Sequence, residues 1–223
     1  MSKIQETKGR GDDNSGYVRL FGNPPLGHLI SRVHATVIRT GNELEKLLEQ
    51  ATPASLKTEL ADALVQTGNP KASGTRVVFS PKIKKSAERR GITGDIVAFD
   101  YDRKVLSVIE VKDGDTFDTK KASGELDSLQ ATARDLANQT GFSPHIYFCS
   151  FNQGDKDAIV LGAKSRFSTE QVMTGVELCA ILGIDFDGFV SARKREQAAN
   201  LEYFLRELVE VKEVAARLRQ LMR

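Results

Sequence analysis

The stretch that most constrains this chain is residues 94–112, GDIVAFDYDRKVLSVIEVK. It reads as two hydrophobic strands joined by a tight polar turn, Asp100-Tyr101-Asp102-Arg103-Lys104. Ile96-Val97-Ala98-Phe99 and Val105-Leu106-Ser107-Val108-Ile109 are rich in β-branched residues and carry no charge. Such runs belong to the middle of a sheet covered on both faces. Three charged residues stand at the far ends of this hairpin: Asp95, Glu110 and Lys112.

The pairing arithmetic makes those ends informative. If Asp100 and Val105 close the turn, Phe99 faces Leu106, Val97 faces Val108, and Asp95 faces Glu110. Directly opposed residues have Cβ atoms roughly 4.5–5.5 Å apart and share a face of the sheet. Two ionised carboxylates at that separation repel, which costs stability beside an apolar core. A divalent cation bridging them removes the cost, and carboxylate oxygens with room left for water and phosphate suit magnesium. Lys112 lies two residues beyond Glu110 and projects from the same face. Its ammonium would stand beside the metal, placed to orient or deprotonate a water or to neutralise a phosphate oxygen.

Asp95, a spacer and then Glu110-Val111-Lys112 resemble the signature of the PD-(D/E)xK nuclease superfamily, with Glu-x-Lys closing the second strand and a helix following. Gly94 stands where the signature has proline, a common variation in the superfamily. The resemblance implies Mg2+-dependent cleavage of phosphodiester bonds in DNA. It makes Asp95, Glu110 and Lys112 the catalytic set, with Asp95, Glu110 and the Val111 carbonyl holding the metal. It also implies an α/β fold with a restriction-endonuclease-like core, a mixed β-sheet flanked by helices in α-β-β-β-α-β order, to which the residue spacing near the C-terminus adds a helical extension. The competing interpretation makes Asp95 a turn cap and leaves Glu110 and Lys112 as a solvated cross-strand pair.

At 223 residues and 40% hydrophobic, the chain can bury the core of one domain with extensions. A formal net charge of +2 means that any nucleic-acid surface must be a local patch. The candidate patch is Lys82, Lys84, Lys85, Arg89 and Arg90, directly before Asp95, where a phosphate backbone has to be gripped. Lys120 and Lys121, just after the hairpin, join it. Cys149 and Cys179 lack metal-ligand spacing and read as buried thiols. No apolar run marks a secretion signal, and none approaches the ~18 residues of a membrane span, so a cytoplasmic protein is expected.

In order along the chain, residues 1–16 are expected to be a disordered arm, or one that DNA orders. Residues 17–185 form the nuclease domain with an N-terminal recognition segment, and 186–223 a long C-terminal helix. Residues 29–39 fit strand or helix. Arg19, His28, Arg32, His34 and Arg39, all within Tyr17 to Thr40, can contact phosphates or guanine edges, or simply lie on the surface. Asn42 and Glu45 form a capping box for one helix, and Thr52-Pro53 restarts another. Some superfamily members add a helical glutamate to the metal site from this region; Glu43 and Glu59 are the candidates, with solvated helix charges as the alternative. A strand is predicted at 76–79, a helix from Ser123 or Gly124, strands at 144–151 and 158–161, and a helix from the Ser168–Gln171 capping box to Gly183. Asp113 to Asp118 lacks EF-hand spacing, and His145 has no nucleophile motif beside it. Leu201, Phe204, Leu208, Val211, Ala215, Leu218 and Met222 follow a heptad over about three repeats, which suits a homodimer interface or packing within the chain. The reading that gathers most of these features is a type II restriction endonuclease cutting double-stranded DNA as a homodimer. A repair or junction-resolving nuclease, or a non-cutting DNA-binding protein, are the alternatives.

Overall fold

The computed structural model describes residues 2–41, 43–81, 94–114 and 119–222. The chain divides into two compact units, one of Met1–Glu43 with Asp187–Arg223 and the other of Leu44–Phe186. The first unit opens with α1 (Lys3–Glu6), α2 (Gly16–Phe21) and α3 (Pro24–Gly41). The second runs through α4 (Leu44–Ala51), α5 (Leu60–Thr67), β1 (Thr75–Phe79), β2 (Ile96–Asp100), β3 (Val105–Lys112), α6 (Thr119–Thr140), β4 (Ser143–Ser150), α7 (Lys156–Gly162), β5 (Val172–Thr174) and α8 (Gly175–Leu182). Then α9 (Phe186–Glu210) and α10 (Lys212–Leu221) return the chain to the first unit.

In the first unit, the ambiguous residues 29–39 are helical, with Leu29, Ser31 and Thr36 buried. Ser15 starts α2 by accepting from the Val18 N–H, and Gly22, at φ +62°, ends it in the left-handed region that glycine tolerates. Residues 1–16, expected as an arm that is disordered or that DNA orders, carry α1 among the residues described. Ile4 is buried, Ser2 donates to Asn200, and Lys3 pairs with both Glu43 and Glu196 at 2.8 Å. Partners that distant in sequence leave no local pattern to read.

The second unit is built on one five-stranded sheet in the order β1-β2-β3-β4-β5. The first three strands are antiparallel neighbours, while β3–β4 and β4–β5 pair parallel. The parallel β3–β4 pair requires a crossover, and α6 supplies it. Ile96, Val97, Ala98 and Phe99 of β2 are all buried, as a charge-free central strand should be. Leu129, Ala133 and Leu136 of α6 close the core over Val97, Phe99, Leu106, Val108 and Phe148.

Several expected boundaries move. Residues 158–161 form α7, not a strand: Asp155 caps it by accepting from the Asp157 N–H, and Ile159 is buried while Leu161 is exposed. The Ser168–Gln171 capping box is real, but it opens only a single 3-10 turn before β5. A second box, Thr174 with Glu177, launches α8. No helix restarts at Pro53; Lys57 bridges to Val77 of β1, and α5 begins at Leu60. Helix α6 begins at Thr119, ahead of Ser123. The C-terminal heptad is interrupted where Val211 turns extended and buried between α9 and α10. Among the described residues, no helix is long and apolar enough to cross a membrane.

Candidate active site

The register of the central hairpin places the chemistry. Asp100 pairs with Val105, Phe99 with Leu106, Val97 with Val108 and Ile96 with Ile109. One step further out, Asp95 meets the end of β3, where its Oδ2 accepts from the Val111 N–H at 2.7 Å. Glu110 and Lys112 project from one face of β3, and the Lys112 ammonium donates to Glu110 Oε1. The Glu110 side chain is 13% exposed, so this is a desolvated group.

Gly94 explains how Asp95 comes so close. A Cβ there would lie 2.7 Å from Val108 Cγ1, 3.0 Å from the Ile109 carbonyl oxygen and 3.1 Å from Leu129 Cδ2. The chain entering β2 is pressed between β3 and α6 with no space for a side chain. Gly94→Ala is therefore expected to shift Asp95 and to cost about 1–3 kcal/mol of stability through overpacking. Urea unfolding and cleavage rate, measured together, check this; unchanged values for both would mean that the approach is slack.

Two more acids reach the site. Glu45, in the first turn of α4, lies near enough to Asp95 for its charge to raise the Asp95 pKa. Glu125, on α6, lies with Oε1 3.2 Å from the Lys112 ammonium. Its other oxygen is buried with no hydrogen-bond partner among the described residues.

The electrostatics follow from burial and crowding. Desolvation, reinforced by the charge of Glu45, pushes Asp95 up to about 6 against the opposing Val111 N–H. Desolvation and then the neighbouring Asp95 charge push Glu110 up to about 7. Glu45 is raised for the same two reasons, burial first and the charge of Glu110 second. For Lys112, burial disfavours the charged form, but Glu110 and then Glu125 outweigh it and hold the ammonium above its ordinary range.

Asp95, Glu110, Val111 and Lys112 are thus brought together. Lys82, Lys84, Lys85, Arg89 and Arg90 lie outside the described residues, as do the side chains of Lys120 and Lys121. Neither glutamate first considered as the helical acid fills that position. Glu43 is paired with Lys3 and Arg39 in the first unit, and Glu59 sits at the start of α5 without a side-chain cap bond. Glu45 was visible in the sequence only as the second acid of a capping box. Glu125 had no signal beyond its neighbours Leu126 and Leu129 on the apolar stripe of α6. Most of the basic candidates of the first unit have partners there: Arg32 with Glu207 and Tyr203, Arg39 with Glu43, and His34 with Tyr17, while His28 Nε2 lies 3.2 Å from Asp13 without a hydrogen bond. Arg19 is exposed. Cys149 and Cys179 are free and buried, as expected. Among the described residues, no three acidic, histidine or cysteine side chains gather closely enough to ligate one ion.

No family model and no solved structure matches this chain. The type II restriction enzyme HhaII of Haemophilus parahaemolyticus is 41% identical to it over 219 residues, covering 96% of each chain. Similarity at that level, carried through both structural units, shows common ancestry along nearly the whole length, and the chain belongs to the type II restriction enzymes.

Proposed function

We propose that this protein hydrolyses double-stranded DNA at a specific sequence with Mg2+, as a PD-(D/E)xK endonuclease. The observation that carries the reading is the hairpin register that sets Asp95 against Glu110 and Val111, with Lys112 on the same face, in a chain of the type II restriction enzymes. The run of elements α5, β1, β2, β3, α6, β4 supports it, because it follows the order expected of a restriction-endonuclease-like core.

The residues present fit a magnesium ion. Asp95 and Glu110 are buried carboxyls whose charged forms are disfavoured by desolvation and by each other, a cost that a divalent cation relieves. Magnesium keeps several waters and needs only one or two carboxylates, so a set of three protein acids is not required. Asp95, Glu110 and the Val111 carbonyl would hold it, and it supplies Lewis acidity toward a phosphate oxygen and a water. The Val111 N–H fixes the orientation of Asp95. Glu110 and Glu125 favour the charged ammonium of Lys112, which would orient a water or neutralise a phosphate oxygen. From the sequence, Lys82, Lys84, Lys85, Arg89 and Arg90, with Lys120 and Lys121, would supply the charge that grips the DNA backbone.

The enzyme acts in the cytoplasm as a homodimer. Leu201, Leu205 and Val209 follow a four-residue spacing along α9 and are all exposed, an apolar stripe of the kind that marks an interface. Leu205→Lys is expected to convert dimer to monomer, read by sedimentation. A Leu205→Lys protein that sediments like the wild type places the interface elsewhere.

The test of the reading is incubation with phage and plasmid DNA, with Mg2+ or with EDTA. Discrete Mg2+-dependent fragments support it, and mapped ends give the site. Cleavage confined to branched DNA would favour a junction-resolving enzyme, and intact DNA under every condition would overturn the reading.

A further inference from the structure

Lys112 is held by carboxylates from two different elements. Glu110 is two residues away on the same strand, whereas Glu125 reaches across from α6 to lie 3.2 Å from the ammonium. The Glu125 side chain is 22% exposed, and one of its oxygens is buried without a partner among the described residues. A carboxyl placed only to brace the fold would have both oxygens satisfied, since an unmet buried acceptor is destabilising. Glu125 instead spends one oxygen on Lys112 and leaves the other unmet among the described residues.

A lysine ammonium is a point charge on a flexible four-carbon stem, so a single anchor leaves it free to swing. Its anchor on the same strand, Glu110, is also a residue that would hold a cation at the site. With Glu110 so engaged, Glu125 is the acceptor that would remain for the ammonium.

We infer that Glu125 is a positioning residue for Lys112, keeping the ammonium beside the reacting phosphate while leaving Glu110 free for the cation. The inference rests on the reading of Asp95 and Glu110 as the cation's ligands. Without Glu125 the ammonium settles on Glu110 alone and competes with the cation for it.

Glu125→Gln tests this, because it keeps the size of the side chain and removes only its charge, so folding is preserved and melting temperature confirms it. With DNA, kcat falls on the order of 100-fold while KM changes little, the signature of a misplaced reacting group. Without DNA, Mn2+ binding followed by calorimetry weakens about tenfold, as when a partner of a ligand is lost. In a Lys112→Met background the same substitution leaves Mn2+ affinity unchanged, because Glu125 then has nothing to hold. In the metal-free protein, acylation of Lys112 followed by mass spectrometry is several-fold faster in Glu125→Gln than in the wild type.

Equal weakening of Mn2+ binding in both backgrounds overturns the inference, since Glu125 would then act on the cation directly. Unchanged acylation of Lys112 also overturns it, whatever the activity. A wild-type protein that neither binds Mn2+ nor cuts DNA overturns the reading of the site instead, while the acylation result still decides the Glu125–Lys112 contact.

Discussion

Asp95→Asn is expected to abolish DNA cleavage, by about 10³-fold or more, while raising the melting temperature. Both effects come from the same crowding. The Asp95 carboxyl is desolvated, stands near the charge of Glu45, and raises the pKa of Glu110 through its own charge. An asparagine keeps the oxygen that accepts from Val111 and places an amide donor beside Glu45, so the local structure survives. It removes a negative charge that the folded protein holds at a cost. It also removes half of the carboxylate pair that would hold the cation, and there the loss falls on the reaction. Initial rates in Mg2+, a mobility-shift assay for DNA binding and a thermal melt together decide the matter. Cleavage within tenfold of the wild type removes Asp95 from the catalytic set. Lost cleavage with a lower melting temperature makes it a structural residue.

The second large effect is on stability against pH. Asp95 moves from an ordinary 3.8 up to about 6, and Glu110 from 4.5 up to about 7. Both carboxyls therefore bind protons more tightly in the folded state than in the unfolded one. Stability from these groups is full below the unfolded values and is lost as pH rises through about 4 to about 7. A shift of about two units corresponds to roughly 3 kcal/mol. Because the two groups repel one another, that loss is shared between them and not doubled. Lys112 does not offset it, since its shift lies above this window and its contribution is constant across it. Metal-free protein should thus unfold at lower urea at pH 8 than at pH 5, and Mg2+ should restore more stability at pH 8. The double variant Asp95→Asn, Glu110→Gln separates these two groups from every other acid in the chain. If its pH dependence matches that of the wild type, the loss arises elsewhere.

The first four strands and half of the site could be read from local pattern because they depend on local physics, whereas β5 lay inside a stretch expected to be helical. A hairpin with a short turn has one register, and side chains alternate with period two. Pairing Asp100 with Val105 therefore carries Asp95 to Glu110 with no further information. The charge-free runs of β2 and β3 reported burial on both faces for an equally local reason.

Glu45 and Glu125 were hidden for the opposite reason. Each sits on an exposed-looking helical position whose partner lies 50 residues away for Glu45 and Asp95, and 13 for Glu125 and Lys112. Which turn of α4 or α6 faces the hairpin depends on how the helix packs on the sheet, and helix periodicity is silent about that. The same holds for Lys3, whose two carboxylate partners come from opposite ends of the chain. Residues 158–161 misled because four apolar residues fit a strand or a helix, and the capping Asp155 settled the choice.

Composition, turn chemistry and alternation were thus sufficient for the hairpin and the pairing of Asp95 with Glu110, because neighbours along the chain impose those contacts. The acids that surround Lys112, and with them the pKa shifts of the site, arise where separate elements meet. Burial and charge at such a meeting point are properties of the packing, and no short stretch of sequence contains them.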